Sequence, residues 1–252
     1  MNFRKKSQTS NVVTLIIFIV VIIILFPAFN IIYGKIVNTS TDEICRASIL
    51  KHAGVNSKTM NMVTTSIDCP RNNLLFEDDK VTLDDETLFV YEKETDKKKT
   101  REINKLNSYV VNQVLAKELY KCWNKMGEGK LKLFDEGWTF DEHACLICDQ
   151  FRFNIDSTQT FTGLNEYLKT YLIPNDPNGL TYDSYFNKKF NPKYTGSGSS
   201  PYIQKIIEFN PNKEYVIVFY GIKTGFIAKN PDSYYLEITD IKGMNDKCKL
   251  IN

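Results

Sequence analysis

An apolar segment near the N-terminus constrains this chain more than any other feature of its sequence. Between Val12 and Tyr33 only Thr14, Pro27 and Asn30 interrupt a run of apolar residues, and no charged residue is present. At about 1.5 Å per residue, a helix of this length reaches about 33 Å, which is enough for a bilayer core of about 30 Å. The sequence therefore predicts a transmembrane helix over residues 12–33, in contact with membrane lipid.

The charges that flank this segment predict its orientation. Arg4, Lys5 and Lys6 precede it, whereas Lys35 is alone on the other side. Because basic residues favour the cytoplasmic side, we predict a single-pass protein of the cell membrane. Residues 1–11 form the cytoplasmic basic tail, and residues 34–252 form the extracytoplasmic domain. This domain is nearly neutral, which argues against a nucleic-acid partner.

Cleavage of the segment is the alternative to an anchor. A signal peptide has an apolar region of about 7–15 residues followed by small residues, but this run is longer and Pro27–Asn30 is a poor cleavage site. We therefore predict an uncleaved signal-anchor. Residues 6–10, Lys-Ser-Gln-Thr-Ser, resemble the cleavage region of archaeal type IV pilin precursors, in which Gln8 would become the first residue. Val12 stands where that family has an acidic residue, and the resemblance leaves a pilin-like filament subunit as one alternative.

Six cysteines follow the apolar segment, and none precedes it. An even number of cysteines confined to the predicted external part indicates a disulfide framework in an oxidising compartment. Six cysteines allow 15 pairings, so the sequence does not fix the connectivity. The candidates are Cys45, Cys69, Cys122, Cys145, Cys148 and Cys248.

The spacing of Cys145 and Cys148 has three interpretations. A redox pair should precede a helix, yet Phe151, Phe153 and Ile155 alternate with polar residues as in a strand. A zinc site could recruit His143 and Cys122, but no second C-x-x-C motif exists. The structural interpretation gives each cysteine a different distant partner. The redox pair leaves a membrane-tethered thiol–disulfide oxidoreductase as the enzyme alternative.

Periodicity predicts an α+β fold for the extracytoplasmic part. A capping-box spacing and apolar residues at three- and four-residue steps predict three helices, and alternating β-branched and aromatic residues predict several strands. The helices are expected at 42–53, 101–125 and 163–172, and the strands at 60–67, 88–91, 203–209, 215–220, 225–229 and 234–241. Residues 77–86 are acidic and are expected to form a solvated loop rather than a calcium site.

Residues 174–201 are rich in Pro, Asn, Gly, Ser, Tyr and Lys, which predicts a long loop and a point where the domain could be divided. Tyrosines in and beside this loop could form a contact surface, or the loop could be an insertion without a binding role. The tyrosines are Tyr182, Tyr185, Tyr194 and Tyr202.

Catalytic motifs are missing from the sequence. His52 and His143 are the two histidines, and neither belongs to a G-x-S-x-G or H-E-x-x-H motif. We therefore expect no catalytic residue, no metal site and no cofactor. Asn38 begins an Asn-Thr-Ser sequence and is a candidate for glycosylation.

Several short motifs resemble those of single-pass membrane proteins predicted from small-genome (DPANN) archaea. They are Glu43-Ile-Cys45-Arg46-x-Ser48, Cys69-Pro70, Cys122-Trp123-x-x-Met126-Gly-Glu-Gly-Lys130 and Cys145-x-x-Cys148. The resemblance implies an archaeal surface-facing protein with a Cys-rich ectodomain, and it implies no activity. The combined expectation is a membrane-anchored, non-catalytic cell-surface or assembly protein whose disulfide-stabilised ectodomain binds a protein partner.

Overall fold

A computed structural model describes residues 41–58, 67–131, 133, 143–156, 158–189, 208–222, 233–245 and 248–250. The predicted cytoplasmic tail, the predicted membrane helix and Asn38 lie outside these ranges. Within them, no helix combines the length and the apolar character that crossing a bilayer requires. The chain divides into two compact units, Met1–Glu43 and Ile44–Asn252.

The described residues form a mixed α+β fold, as the sequence predicts. The helices are α1 (Thr41–Lys58), α2 (Ser108–Lys125), α3 (Leu164–Thr170), α4 (Tyr182–Lys189) and α5 (Ile241–Asn245). The strands are β1 (Asn72–Glu77), β2 (Val81–Leu83), β3 (Glu86–Thr87), β4 (His143–Asn154), β5 (Phe161–Thr162), β6 (Glu208–Phe209), β7 (Tyr215–Ile222), β8 (Ser233–Asp240) and β9 (Cys248–Leu250).

Strand β4 is the centre of a seven-stranded mixed sheet. Six strands follow the order β3-β2-β1-β4-β7-β8, and the seventh, β9, pairs with β4 outside this order. On one edge it pairs antiparallel with β7. On its other edge it pairs parallel with two strands, with β9 at residues 143–145 and with β1 at residues 149–154. Strands β5 and β6 form a separate two-stranded sheet.

The two faces of the large sheet contribute to different apolar clusters. In β7, Ile217 and Phe219 belong to the main core with α2, whereas Val216 and Val218 alternate with them into a smaller cluster that includes Met244 of α5. All four residues are buried. The alternation follows from the two-residue period of a strand, and it explains why this segment is apolar on both faces.

Helix α2 begins later than its apolar periodicity predicts. Val110 and Val114 are buried as expected, but Asn107 caps the helix by accepting a hydrogen bond from the Val110 N–H at 3.1 Å. Before it, the N–H groups of Ile103 and Leu106 donate to backbone carbonyls at Asp79 and Asp78. Residues 101–107 are therefore not helical, because their backbone donors have partners outside a helix.

A left-handed turn follows α2 at its two glycines. Gly127, Glu128 and Gly129 have φ values of 73°, 58° and 69°. Glycine tolerates such values without strain, whereas glutamate does not. The Glu128 carboxylate accepts hydrogen bonds from the Tyr185 hydroxyl and the Lys130 ammonium group, which hold this residue in place.

The prediction of a solvated loop over residues 77–86 is wrong. Leu74 and Phe76 of β1 and Val81 of β2 are fully buried, and Asp84 and Asp85 form the left-handed turn between β2 and β3. The acidic residues lie largely at turns and exposed positions. The acidic composition of the segment therefore gives no sign of the small antiparallel ribbon that β1, β2 and β3 form. The strand expected at 88–91 is reduced to one β-bridge between Val90 and Thr100.

Three further boundaries differ from expectation. Helix α1 continues past Gly54 to Lys58, and α3 begins after Gly163 instead of after Thr162. Helix α4 lies within the predicted loop 174–201, because Tyr182, Tyr185 and Phe186 recur at helical spacing and bury one face. Of the remaining predicted strands, most of 60–67 and all of 225–229 lie outside the described residues.

All six cysteines form disulfide bonds, so the predicted framework is confirmed. Cys45 and Cys69 join α1 to the segment before β1, with Cα atoms 4.4 Å apart. Cys122 joins α2 to Cys148 of β4, and Cys145 of β4 joins Cys248 of β9, each pair with Cα atoms 5.7 Å apart. The predicted role of Cys248 in fixing the C-terminal segment is confirmed.

The lengths of the disulfide loops predict how much each bond stabilises the fold. The Cys45–Cys69 pair is separated by 24 residues and the Cys145–Cys248 pair by 103. Loop-closure entropy then gives about 3 kcal/mol for the first and about 4–5 kcal/mol for the second. We expect the Cys145→Ala/Cys248→Ala variant to lose more unfolding free energy in urea than the Cys45→Ala/Cys69→Ala variant. Equal losses would contradict this order.

Candidate functional site

The structural interpretation of the Cys145-x-x-Cys148 motif is confirmed, because each of its cysteines has a different distant partner. The two side chains lie in different clusters, Cys148 in the main core and Cys145 in the smaller one. Both are buried, with at most 2% of either residue exposed. A dithiol redox pair would need these two sulfur atoms bonded to each other and accessible, and the observed bonds provide neither condition.

The zinc interpretation also lacks its ligands. Cys122, Cys145 and Cys148 are bonded to sulfur, and a thiolate is the form that binds zinc. His143, the first residue of β4, pairs with Ile222 and Cys248 of neighbouring strands. In the part of the chain that the structure describes, no three His, Cys, Asp or Glu side chains are grouped to hold a metal ion.

A β-bulge in β4 brings two consecutive residues towards α2. Ile147 pairs with Val218 and Asp149 pairs with Ile217, so Cys148 is the extra residue. Cys148 forms its disulfide bond with Cys122 of α2, while Asp149 interacts electrostatically with Glu118 of the same helix. Consecutive residues of a regular strand face opposite sides, so this arrangement requires the bulge.

Asp149 and Glu118 form a buried pair of carboxyl groups between β4 and α2. Neither residue has any exposed surface. The Asn72 amide Nδ2 donates to Asp149 Oδ1 at 2.7 Å, and Lys121 Nζ lies 2.8 Å from Glu118 Oε1. The other oxygens, Asp149 Oδ2 and Glu118 Oε2, accept no hydrogen bond in the described structure. Two carboxylates with unsatisfied oxygens are costly in a core unless one is protonated.

The electrostatic environment favours a proton on Asp149. Burial is the main cause and the nearby charge of Glu118 the second, and together they raise the pKa of the Asp149 carboxyl group to about 7. Lys125, the Asn72 amide and Lys121 act in the opposite direction. Asp149 can therefore take up or release a proton near neutral pH. Because the carboxyl groups of Asp149 and Glu118 are both completely buried, neither can contact a substrate.

The Asp149 pKa predicts how stability depends on pH. An aspartate in the unfolded chain has a pKa of about 3.9, so the folded state binds more protons between about pH 4 and pH 7. We expect the unfolding free energy to fall over this range by on the order of 1 kcal/mol per pH unit. Asp149→Asn should reduce the slope, because its side chain carries no charge and its carbonyl oxygen can still accept from Asn72.

The measurement is urea unfolding of both proteins at several pH values between 4 and 8. Asp85→Asn, at the exposed turn between β2 and β3, is the matched control and should keep the wild-type slope. A slope that is the same in wild type and Asp149→Asn would contradict the assignment.

Tyrosines from α2, α3 and α4 form an aromatic cluster at a second site. Tyr167 and Tyr171 stack with ring centroids 4.1 Å apart, and Tyr109 contacts both rings edge-on at 5.7 and 5.6 Å. Tyr182 and Tyr185, for which the sequence left open a contact surface or an insertion without a binding role, lie in the core with 3% and 5% exposure. Tyr194 and Tyr202 lie outside the described residues.

The outer part of this cluster continues onto an exposed aromatic surface. The N–H of Tyr91 donates to Gln113 Oε1 at 2.9 Å, and the Gln113 side chain also faces the hydroxyls of Tyr109 and Tyr167. Phe89 and Leu172 are exposed by 54% and 59%. We call Phe89, Tyr91, Tyr109 and Tyr171, together with Leu172 that follows Tyr171 in the chain, the aromatic face.

The hydroxyls of Tyr109 and Tyr171 remain protonated at physiological pH. Burial raises the pKa of Tyr171 to about 12, assisted by its hydrogen bond to the Glu94 carboxylate. Burial also raises the pKa of Tyr109. These tyrosines can therefore offer hydrogen bonds and apolar area, but they cannot act as bases near neutral pH.

The sequence contained partial signals for both sites. Glu118 precedes Cys122 by four residues, which places it on the apolar stripe of α2, and an acidic residue there needs a partner in the core. Tyr167 and Tyr171 share the same helical spacing. Nothing local to the sequence links either feature to Asn72 or to Phe89, which belong to other parts of the chain.

Comparisons of the chain with protein-family models, with curated proteins and with solved structures find no match.

Proposed function

We propose that this chain is a membrane-anchored, non-catalytic cell-surface or assembly protein whose disulfide-stabilised ectodomain binds a protein partner. The observation that carries the proposal is the complete pairing of six cysteines, all of which follow the apolar segment 12–33. Buried disulfides of this kind persist in oxidising compartments, and a segment of that length suits an anchor.

The aromatic face supports the binding of a protein partner. Tyrosine and phenylalanine are enriched in protein–protein interfaces, since they provide large contact areas with few rotatable bonds. Leu172, which follows Tyr171 in the chain, is 59% exposed, more than Phe89 at 54%.

The proposed topology predicts the result of proteolysis on intact cells. A protease added outside should degrade the cysteine-containing domain and leave an N-terminal membrane fragment of about 4 kDa, because residues 34–252 would be external. Immunoblotting with a tag at the N-terminus measures the fragment. Complete protection of the domain would contradict the topology, and a mature N-terminus at Gln8 would favour the pilin-like alternative.

Chemical cross-linking on intact cells tests the partner. We expect a cross-linked product between the chain and a second protein, and Leu172→Asp should lower its yield by about tenfold, as for an interface residue that contributes strongly. Thr170→Asp is the matched control, since it adds the same charge to an exposed position at the end of α3. Equal yields from wild type and both variants would contradict a role for the aromatic face.

A further inference from the structure

Two cation–π contacts lie side by side at one end of the aromatic face. Val90 and Thr100 exchange two backbone hydrogen bonds, of 2.9 and 2.7 Å, in an antiparallel bridge. On one side of the bridge, Arg101 Cζ lies 4.4 Å from the centre of the Phe89 ring. On the other side, Lys99 Nζ lies 5.4 Å from the centre of the Tyr91 ring. The bridge thus holds two cations over two aromatic rings.

The neighbouring acidic residues are occupied in holding this segment together. The Glu92 carboxylate accepts hydrogen bonds from the backbone N–H and the side-chain amide of Asn104, at 2.9 and 3.0 Å. The Asp96 carboxylate accepts from the Lys93 N–H at 2.8 Å. Glu94 accepts from the Tyr171 hydroxyl. These three carboxylates serve local backbone and side-chain donors and make no ion pair with the nearby cations.

The cations, in contrast, face solvent. Lys97, Lys98, Lys99 and Arg101 are all exposed, and none of them forms an ion pair with a described residue. Glu102 is the exposed acidic residue that follows them. Residues 97–101 therefore place four basic side chains and no acidic one next to exposed aromatic area, and the span 92–102 as a whole has a net charge of +1 from five basic and four acidic residues.

We propose that Lys99 and Arg101, on the rings of Tyr91 and Phe89, bind an acidic segment of the protein partner. This inference rests on the proposed function, because it names the chemistry of the partner that the aromatic face would bind. A guanidinium group that stacks on a ring keeps its N–H edges available for a bidentate carboxylate. The exposed ring of Phe89 adds apolar contact that a peptide side chain can cover.

The experiment uses the full-length protein in a non-ionic detergent and a fluorescein-labelled twelve-residue peptide that contains six Asp residues, with fluorescence anisotropy as the readout. We expect the peptide to bind at low salt and to dissociate as NaCl increases. The double variant Lys99→Gln/Arg101→Gln should weaken binding by about tenfold, since it removes two charge-assisted contacts. Arg101→Lys should retain only part of the affinity, because lysine lacks the planar donor edge.

The matched control is Lys169→Gln/Lys242→Gln, which removes two exposed lysines from α3 and α5 and should bind as wild type does. Circular dichroism establishes that each variant is folded. A peptide that does not bind, or equal weakening by the two double variants, would overturn the proposal. Vesicles containing phosphatidylglycerol form a separate arm, and dependence on Lys99 and Arg101 in that arm alone would also overturn it, because the surface would then bind lipid.

The outcome is separable from the test of the proposed function. A cross-linked partner that depends on Leu172, together with an acidic peptide that does not bind, would refute only the acidic chemistry of that partner. Absence of any cross-linked partner would refute the proposed function itself.

Discussion

The contact between α2 and β4 is the constraint on which the rest of the domain depends. It combines a covalent bond, from Cys122 to Cys148, with a buried polar cluster around Asp149 and Glu118. Because β4 pairs with β7 on one edge and with β1 and β9 on the other, its position fixes most of the large sheet. The bulge at Cys148 allows the covalent and the polar contact to exist one residue apart.

The sequence predicted those parts of the fold that depend on local patterns. The apolar stripe of α2 and the alternation after Cys148 in β4 each indicated the correct element. Elements whose burial depends on distant partners were missed, as with β1, where Leu74 and Phe76 pack in the core beside an acidic turn. The predicted start of α2 was too early. The backbone carbonyls of Asp78 and Asp79, which lie in an earlier part of the chain, accept the N–H groups of Leu106 and Ile103.

The candidate sites divide in the same way. An even number of cysteines, all of which follow the apolar segment, made the six disulfide residues predictable, whereas their pairing requires the sheet. The Asp149–Glu118 pair joins a strand to a helix, and the aromatic face joins a loop to α2 and α3. Such arrangements arise from packing between elements, and a linear pattern carries no direct signal of them.

The parallel pairing of β9 with β4 has a consequence for biogenesis. Cys148 meets its partner as soon as it emerges, since Cys122 precedes it by 26 residues, but Cys145 must wait for a partner 103 residues downstream. At about 5–20 residues per second, translation imposes a delay of roughly 5–20 s on that thiol. Throughout the delay, the N-terminal part of the central strand lacks its β9 neighbour. The Cys145–Cys248 bond therefore forms only after β9 has been synthesised, and a thiol–disulfide isomerase would correct any bond that Cys145 forms earlier.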